Sequence, residues 1–139
     1  MQIAGYEFPE ELYYERNHFW ARVDGAEVTV GATDYVQQIA GEILFFQAPP
    51  LGKVVAQGKP FASIESGKWV GQVYAPVSGV ITAVNTRLED DPSPINADPY
   101  GEGWMVKIKF EDLKELSNLL KPGTPEFSEW FEAELARNA

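Results

Sequence analysis

The stretch "SIESGKWVGQVYAPVSG", residues 63–79, places a single lysine between two strand-like runs. Alternating residues lead into Gly67-Lys68 and leave it again at Val70, which reads as a hairpin with the lysine at its tip. Gly67 is expected to take a positive φ there, at little steric cost. Pro76, Ser78 and Gly79 mark the next turn. Lys68 is one of seven lysines in a chain whose formal net charge is −10. On position alone, an ordinary exposed lysine and an amine displayed for chemistry both fit.

The same pattern extends outward. "FWARVD" (19–24) and "EVTVGAT" (27–33) flank Asp24-Gly25-Ala26 as a hairpin. "DYVQQIAG" (34–41) has helical spacing, with Asp34 as the expected N-cap and Gly41 as the stop. "EILFFQA" (42–48) reads as a strand ended by Pro49-Pro50. Residues 51–66 and 69–85 each hold two further strand pieces. The three prolines of 86–103 predict a loop, and "WMVKIKF" (104–110) a closing strand. Helical periodicity then takes over at 111–120 and 125–138. Many short strands followed by helices predict a mainly β sandwich or barrel, one domain over 1–139 with a helical C-terminal extension at about 111–138.

Composition narrows the function. The chain has 139 residues and 45% hydrophobic side chains, enough for one packed domain. An acidic surface repels phosphate backbones, so nucleic acid is not the expected partner. No run is apolar enough to span a membrane. No basic-then-apolar leader opens the sequence, so a cytoplasmic chain, or an already trimmed one, is expected. There is no cysteine and one histidine, His18. Thiol nucleophiles, zinc-thiolate sites and multi-histidine metal sites are therefore excluded. With no visible nucleophile–base pair, an enzyme is not expected.

Several motifs together resemble the glycine cleavage system H protein family. Glu65-Ser66, Gly67, Lys68 and then Pro76-Val77-Ser78-Gly79 resemble its lipoyl-attachment segment. "NHFWARV", "VTVGATDYVQQIAGEILFF" and "NADPYGEGWMVKIKF" resemble further family motifs, so the likeness spans roughly 12–120. It implies a barrel-sandwich hybrid, a lipoyl-domain-like β-sandwich with a short internal helix and C-terminal helices. It also implies lipoate in amide linkage to Lys68. The arm would supply the sulfurs the chain lacks. Glu65, Ser66, Gly67 and Trp69 are the implied recognition residues for a lipoate ligase or lipoyl transferase. Biotinyl domains share the architecture, but Gly67 and Trp69 do not match their methionine-flanked lysine.

The sequence departs from that family where an arm cleft is implied. Phe19, Tyr35 and Gln72 stand where polar or ionisable residues are usual, and Trp69 where a small one is usual. A cationic aminomethyl group leaving water needs a carboxylate, whereas an aromatic wall suits a sulfur-bearing group. The favoured expectation is thus an H-like lipoate-binding protein of sulfur oxidation, partnered by a heterodisulfide-reductase-like complex. The alternative is a glycine cleavage H protein, partnered by glycine decarboxylase, aminomethyltransferase and dihydrolipoamide dehydrogenase. An unmodified β-sandwich binding module is the third. A monomer is expected in each case.

Elsewhere, His18 beside Trp20 reads as a packed structural histidine. Glu89-Asp90-Asp91 reads as a solvated loop without ordered ligand spacing. Trp130 and Phe131, with Phe127 and Leu135, read as the buried stripe of the last helix.

Overall fold

The computed structural model describes residues 1–137, so Asn138, the last residue of the expected final helix, lies outside it. Three antiparallel sheets form among these residues. A short N-terminal hairpin pairs β1 (Gln2–Ile3) with β2 (Tyr6–Glu7). A six-stranded sheet runs in the order β3 (Tyr13–Glu15), β4 (Phe19–Asp24), β5 (Glu27–Ala32), β11 (Val106–Lys109), β10 (Gly79–Val84), β7 (Val54–Val55). A three-stranded sheet orders β6 (Ile43–Gln47), β8 (Pro60–Ser66) and β9 (Val70–Tyr74). This is the expected mainly β, barrel-sandwich hybrid architecture. Side chains from the two larger sheets meet in one core, where Val28, Val30, Ile64, Val73 and Ile108 are fully buried.

Four local readings change. Thr33, not Asp34, caps helix α1 (Asp34–Ala40): its hydroxyl accepts from the Val36 amide at 3.2 Å. Asp34 in the first turn instead accepts from the Glu7 amide at 2.9 Å, tying β2 to the helix. The segment 86–103 is not a plain loop. It carries two one-turn helices, α2 (Arg87–Asp90) and α3 (Pro94–Ala97), each pinned by a buried apolar residue, Leu88 and Ile95. Residues Leu113–Asn118 form a 3₁₀ helix rather than an α-helix. Finally, the N-terminal hairpin is present where the sequence suggested no element.

A second core sits outside the sandwich. Phe8, Leu12, Tyr14, Trp20, Tyr35, Leu120, Phe127, Trp130 and Phe131 pack together there. The last four come from the C-terminal region, and helix α4 (Pro125–Arg137) supplies three of them, as its stripe predicted. Trp130 Nε1 donates to the Arg16 carbonyl at 3.1 Å, which fixes α4 against the β3–β4 loop.

The Pro-x-Ser-Gly turn has a structural job. Ser78 donates its amide and its hydroxyl to the two carboxylate oxygens of Glu115, each at 2.7 Å. A Cβ on Gly79 would lie 2.0 Å from the Lys109 carbonyl oxygen. Because the obstacle is backbone, Gly79→Ala must push β10 from β11, at a cost of about 2 kcal/mol. Urea unfolding checks this, and an unchanged midpoint would contradict it.

Candidate functional site

The hairpin β8–β9 is closed by the two-residue loop Gly67-Lys68. The Ser66 amide donates to the Trp69 carbonyl at 2.7 Å, and the Ser66 hydroxyl accepts from the Lys68 amide at 3.3 Å. Serine therefore holds the loop in place, and Lys68 stands exposed at its tip. Gly67 is not in the left-handed region, against expectation, and no atom lies within 4 Å of where its Cβ would be. The Ser66 bridges shape the turn without a positive φ.

The lysine stem is not free in solvent. It lies across the end of α1, where Gly41 has φ +77° and its imagined Cβ would sit 3.0 Å from Lys68 Cε. Ala40, Gly41, Glu42, Leu44 and Gly67 line an open groove of about 310 Å³ along the stem. Glycine is favoured at 41 by its φ, and its missing side chain leaves the lysine stem room to lie close. Asn96 holds the ledge from behind: its Oδ1 accepts from the Ile43 amide and its Nδ2 donates to the Gly41 carbonyl, both at 2.8 Å. Neither residue was read as part of the site. The signal was the Asn that opens "NADPYG", but only the fold brings it beneath Lys68. Asn96→Ala removes both bonds and leaves two backbone groups to find new partners, so about 2 kcal/mol of stability is expected to be lost. Thermal unfolding checks this, and a variant melting with the wild type would refute it.

The three-stranded sheet has two distinct faces near the loop. Phe46, Ile64 and Gly71 form an inner cross-strand row. The Trp69 indole fills the space over Gly71, whose Cβ would come within 3 Å of the ring, and packs on the core. Phe45, Glu65 and Val70 form one outer row, and Gln47, Ser63 and Gln72 the next. Gln72 is thus exposed on the sheet surface.

Phe19 and Tyr35 are elsewhere. Each is 1% exposed, Phe19 in the sandwich core and Tyr35 in the second core, stacked edge-on to Tyr6 and Phe131. The expected aromatic wall of Phe19, Tyr35 and Gln72 is therefore not assembled. Two of the three serve packing, because β4 and α1 turn them inward.

His18 is structural, in a loop position with φ +76°. Its ring lies 4.7 Å from Tyr35 and 4.4 Å from Trp130. Nε2 is 3.4 Å from Glu134 Oε2 without hydrogen-bond geometry. Burial pushes its pKa down to about 4, outweighing Glu134, which Arg137 also engages. Tyr100 is half-buried against the second core. Its hydroxyl donates to the Glu7 carbonyl at 2.6 Å and accepts from the Asp34 amide at 2.9 Å, so "DPYG" is a clamp on the N-terminal strand. Burial pushes its phenol well above the usual range. Among the described residues no acidic or histidine cluster could hold a metal, Glu89-Asp90-Asp91 included. No helix among them is long and apolar enough to cross a membrane.

A β-sandwich that displays one lysine on a serine-locked two-residue loop has the form of a cofactor-bearing carrier. The comparisons agree. The family described as "Glycine cleavage H-protein" matches residues 12–128. The glycine cleavage system H protein of Rubrobacter xylanophilus is 47% identical over 116 residues, covering 84% of this chain and 90% of that protein. That of Geobacillus kaustophilus is 45% identical over 112 residues, covering 81% and 88%. A crystal structure of a glycine cleavage system H protein from Mycobacterium marinum superposes with TM-score 0.75 at 32% identity, covering 91% of this chain and 98% of that one. The chain belongs to the glycine cleavage H-protein family. Members are carriers rather than enzymes, and they bear lipoate covalently on a lysine. None of these relatives carries a sulfur-oxidation name, so the favoured pathway reading gains nothing from them.

Proposed function

We propose that the chain is a cytoplasmic lipoyl carrier of glycine cleavage. Lys68 bears the lipoyl group. Its arm takes an aminomethyl group from glycine decarboxylase and presents it to aminomethyltransferase. Dihydrolipoamide dehydrogenase then reoxidises the dithiol. The observation that carries this reading is the 47% identity to a glycine cleavage H protein over most of both chains. The geometry supports it, because Lys68 is the lysine in the serine-locked loop and lies against a shaped ledge. The sulfur-oxidation reading rested on an aromatic arm cleft, and the burial of Phe19 and Tyr35 takes away its residues. Glu42, in the groove beside Lys68, and Glu65 and Glu89 on the outer face supply carboxylates suited to a cationic cargo.

The test uses protein lipoylated in full, supplied with glycine and glycine decarboxylase. Glycine-dependent release of carbon dioxide with aminomethyl transfer to the arm is expected. If dihydrolipoamide dehydrogenase reduces the arm normally but no glycine-dependent transfer occurs, the carrier stands and the glycine assignment falls.

A further inference from the structure

Phe45, Glu65 and Val70 lie side by side across the outer face of the three-stranded sheet. Phe45 is 63% exposed and Val70 is 70% exposed, while Glu65 between them is half-buried. Leu44, 45% exposed, adds to the same end through the groove it shares with Lys68. Leu44, Phe45 and Val70 group exposed apolar side chains at one end of the sheet, and such a grouping marks a surface that something covers. Beside it, Glu65 and Glu89 line a second groove of about 360 Å³ with Phe45 and Ser63. Neither carboxylate has an ion-pair partner among the described residues. The strip is therefore a negative charge set between two apolar side chains.

Reach identifies the occupant. A lysine amine extends roughly 6 Å from its Cα, by bond lengths alone. Before the arm exists, an enzyme acting on that amine must bring its active site this close to the sheet. Neighbouring strands are about 4.8 Å apart, and Val70 is two residues from Lys68. Such an enzyme cannot avoid the Phe45–Glu65–Val70 row. Once acylated, the arm reaches roughly twice as far, and enzymes that handle only its dithiolane need not touch the row.

We propose that Phe45 and Val70, flanking Glu65, form the docking strip for the enzyme that acylates Lys68. This rests on the lipoyl-carrier reading above. The chemistry the strip fits is a basic side chain with an apolar stem, an arginine best of all. Its guanidinium pairs with Glu65 while its methylenes lie between the phenylalanine ring and the valine. In the reaction the lysine nitrogen attacks the carbonyl of a lipoyl adenylate. The new N–C bond forms as the C–O bond to phosphate breaks. AMP leaves, and the ammonium gives up two protons in all.

The experiment compares wild type, Phe45→Ser, Val70→Thr and Leu113→Ser. Leu113 is as exposed as the strip residues but opens the 3₁₀ helix whose Glu115 holds Ser78, beyond the end of β9 away from Lys68. Two rates are read for each: kcat/KM of acylation by a lipoate ligase, followed by intact mass, and reduction of the fully loaded protein by dihydrolipoamide dehydrogenase. Phe45→Ser is expected to lower acylation about tenfold and Val70→Thr about threefold, with Leu113→Ser and all dehydrogenase rates within about twofold. Acylation of Phe45→Ser within about twofold of wild type overturns the strip, as does an equal fall in both rates. If the wild type itself gains no lipoyl mass, the carrier reading fails instead.

Discussion

A Lys68→Arg protein coexpressed with a lipoate ligase is expected to gain no lipoyl-sized mass, while the wild type is converted in full. Arginine keeps the positive charge and much of the stem. Its guanidinium, protonated at any accessible pH, offers no lone pair for attack on an acyl donor. The fold should be untouched, because Lys68 is exposed and makes its close side-chain contact with Gly41 alone among the glycines. A thermal midpoint equal to wild type would separate lost chemistry from lost structure. Acylation appearing on another lysine would show that the ligase reads something other than this loop. Lys59, the lysine nearest in sequence on the N-terminal side, lies before the far end of β8 and serves as the natural control.

The second large effect is on acid stability. His18 has a folded pKa of about 4, below its usual 6.5, because burial disfavours the imidazolium. The unfolded chain therefore takes up a proton first as pH falls. Stability from this residue is complete above pH 6.5 and is lost as pH drops from 6.5 toward about 4. The loss amounts to roughly 3 kcal/mol across that window. His18→Asn tolerates the left-handed backbone and removes the titration. It should be less stable than wild type near pH 7.5, but its urea midpoint should fall less steeply between pH 6.5 and 4.5. Glu15 acts in the opposite sense in both proteins, since burial raises its pKa and favours its protonated form when folded. Parallel curves for the two proteins would show that His18 does not couple to folding.

What the sequence made legible was local. The Ser66-Gly67-Lys68-Trp69 hairpin, the 24–26 turn and the Phe127–Trp130–Phe131 stripe are each written in neighbouring residues and repeat periods. The capping residue was misplaced by one because Thr33 and Asp34 are both good caps, and only the contact with Glu7 shows what frees Asp34 for another task. The short helices of 86–103 escaped notice because proline is read as a breaker, although Pro94 opens α3 at a position where no amide is needed. The site's ledge was hidden for a different reason. Asn96 is 28 residues from Lys68 in sequence, and its two bonds go to backbone, so no side-chain pattern announces it. Phe19 and Tyr35 were read as departures in an arm cleft. Side-chain direction, which the sequence did not settle, sends both into the cores.

The second core bears on where this protein can be cut. The matched family span starts at residue 12 and ends at 128. A chain trimmed to those limits would lack Phe8, Trp130 and Phe131, three of the nine buried members of that core. It would also lack Glu7, whose backbone joins Asp34 to Tyr100. His18 and Tyr35 would lose part of their cover. The span that matches the family is thus narrower than the packed unit. Tags, fusions and truncations should respect the wider one.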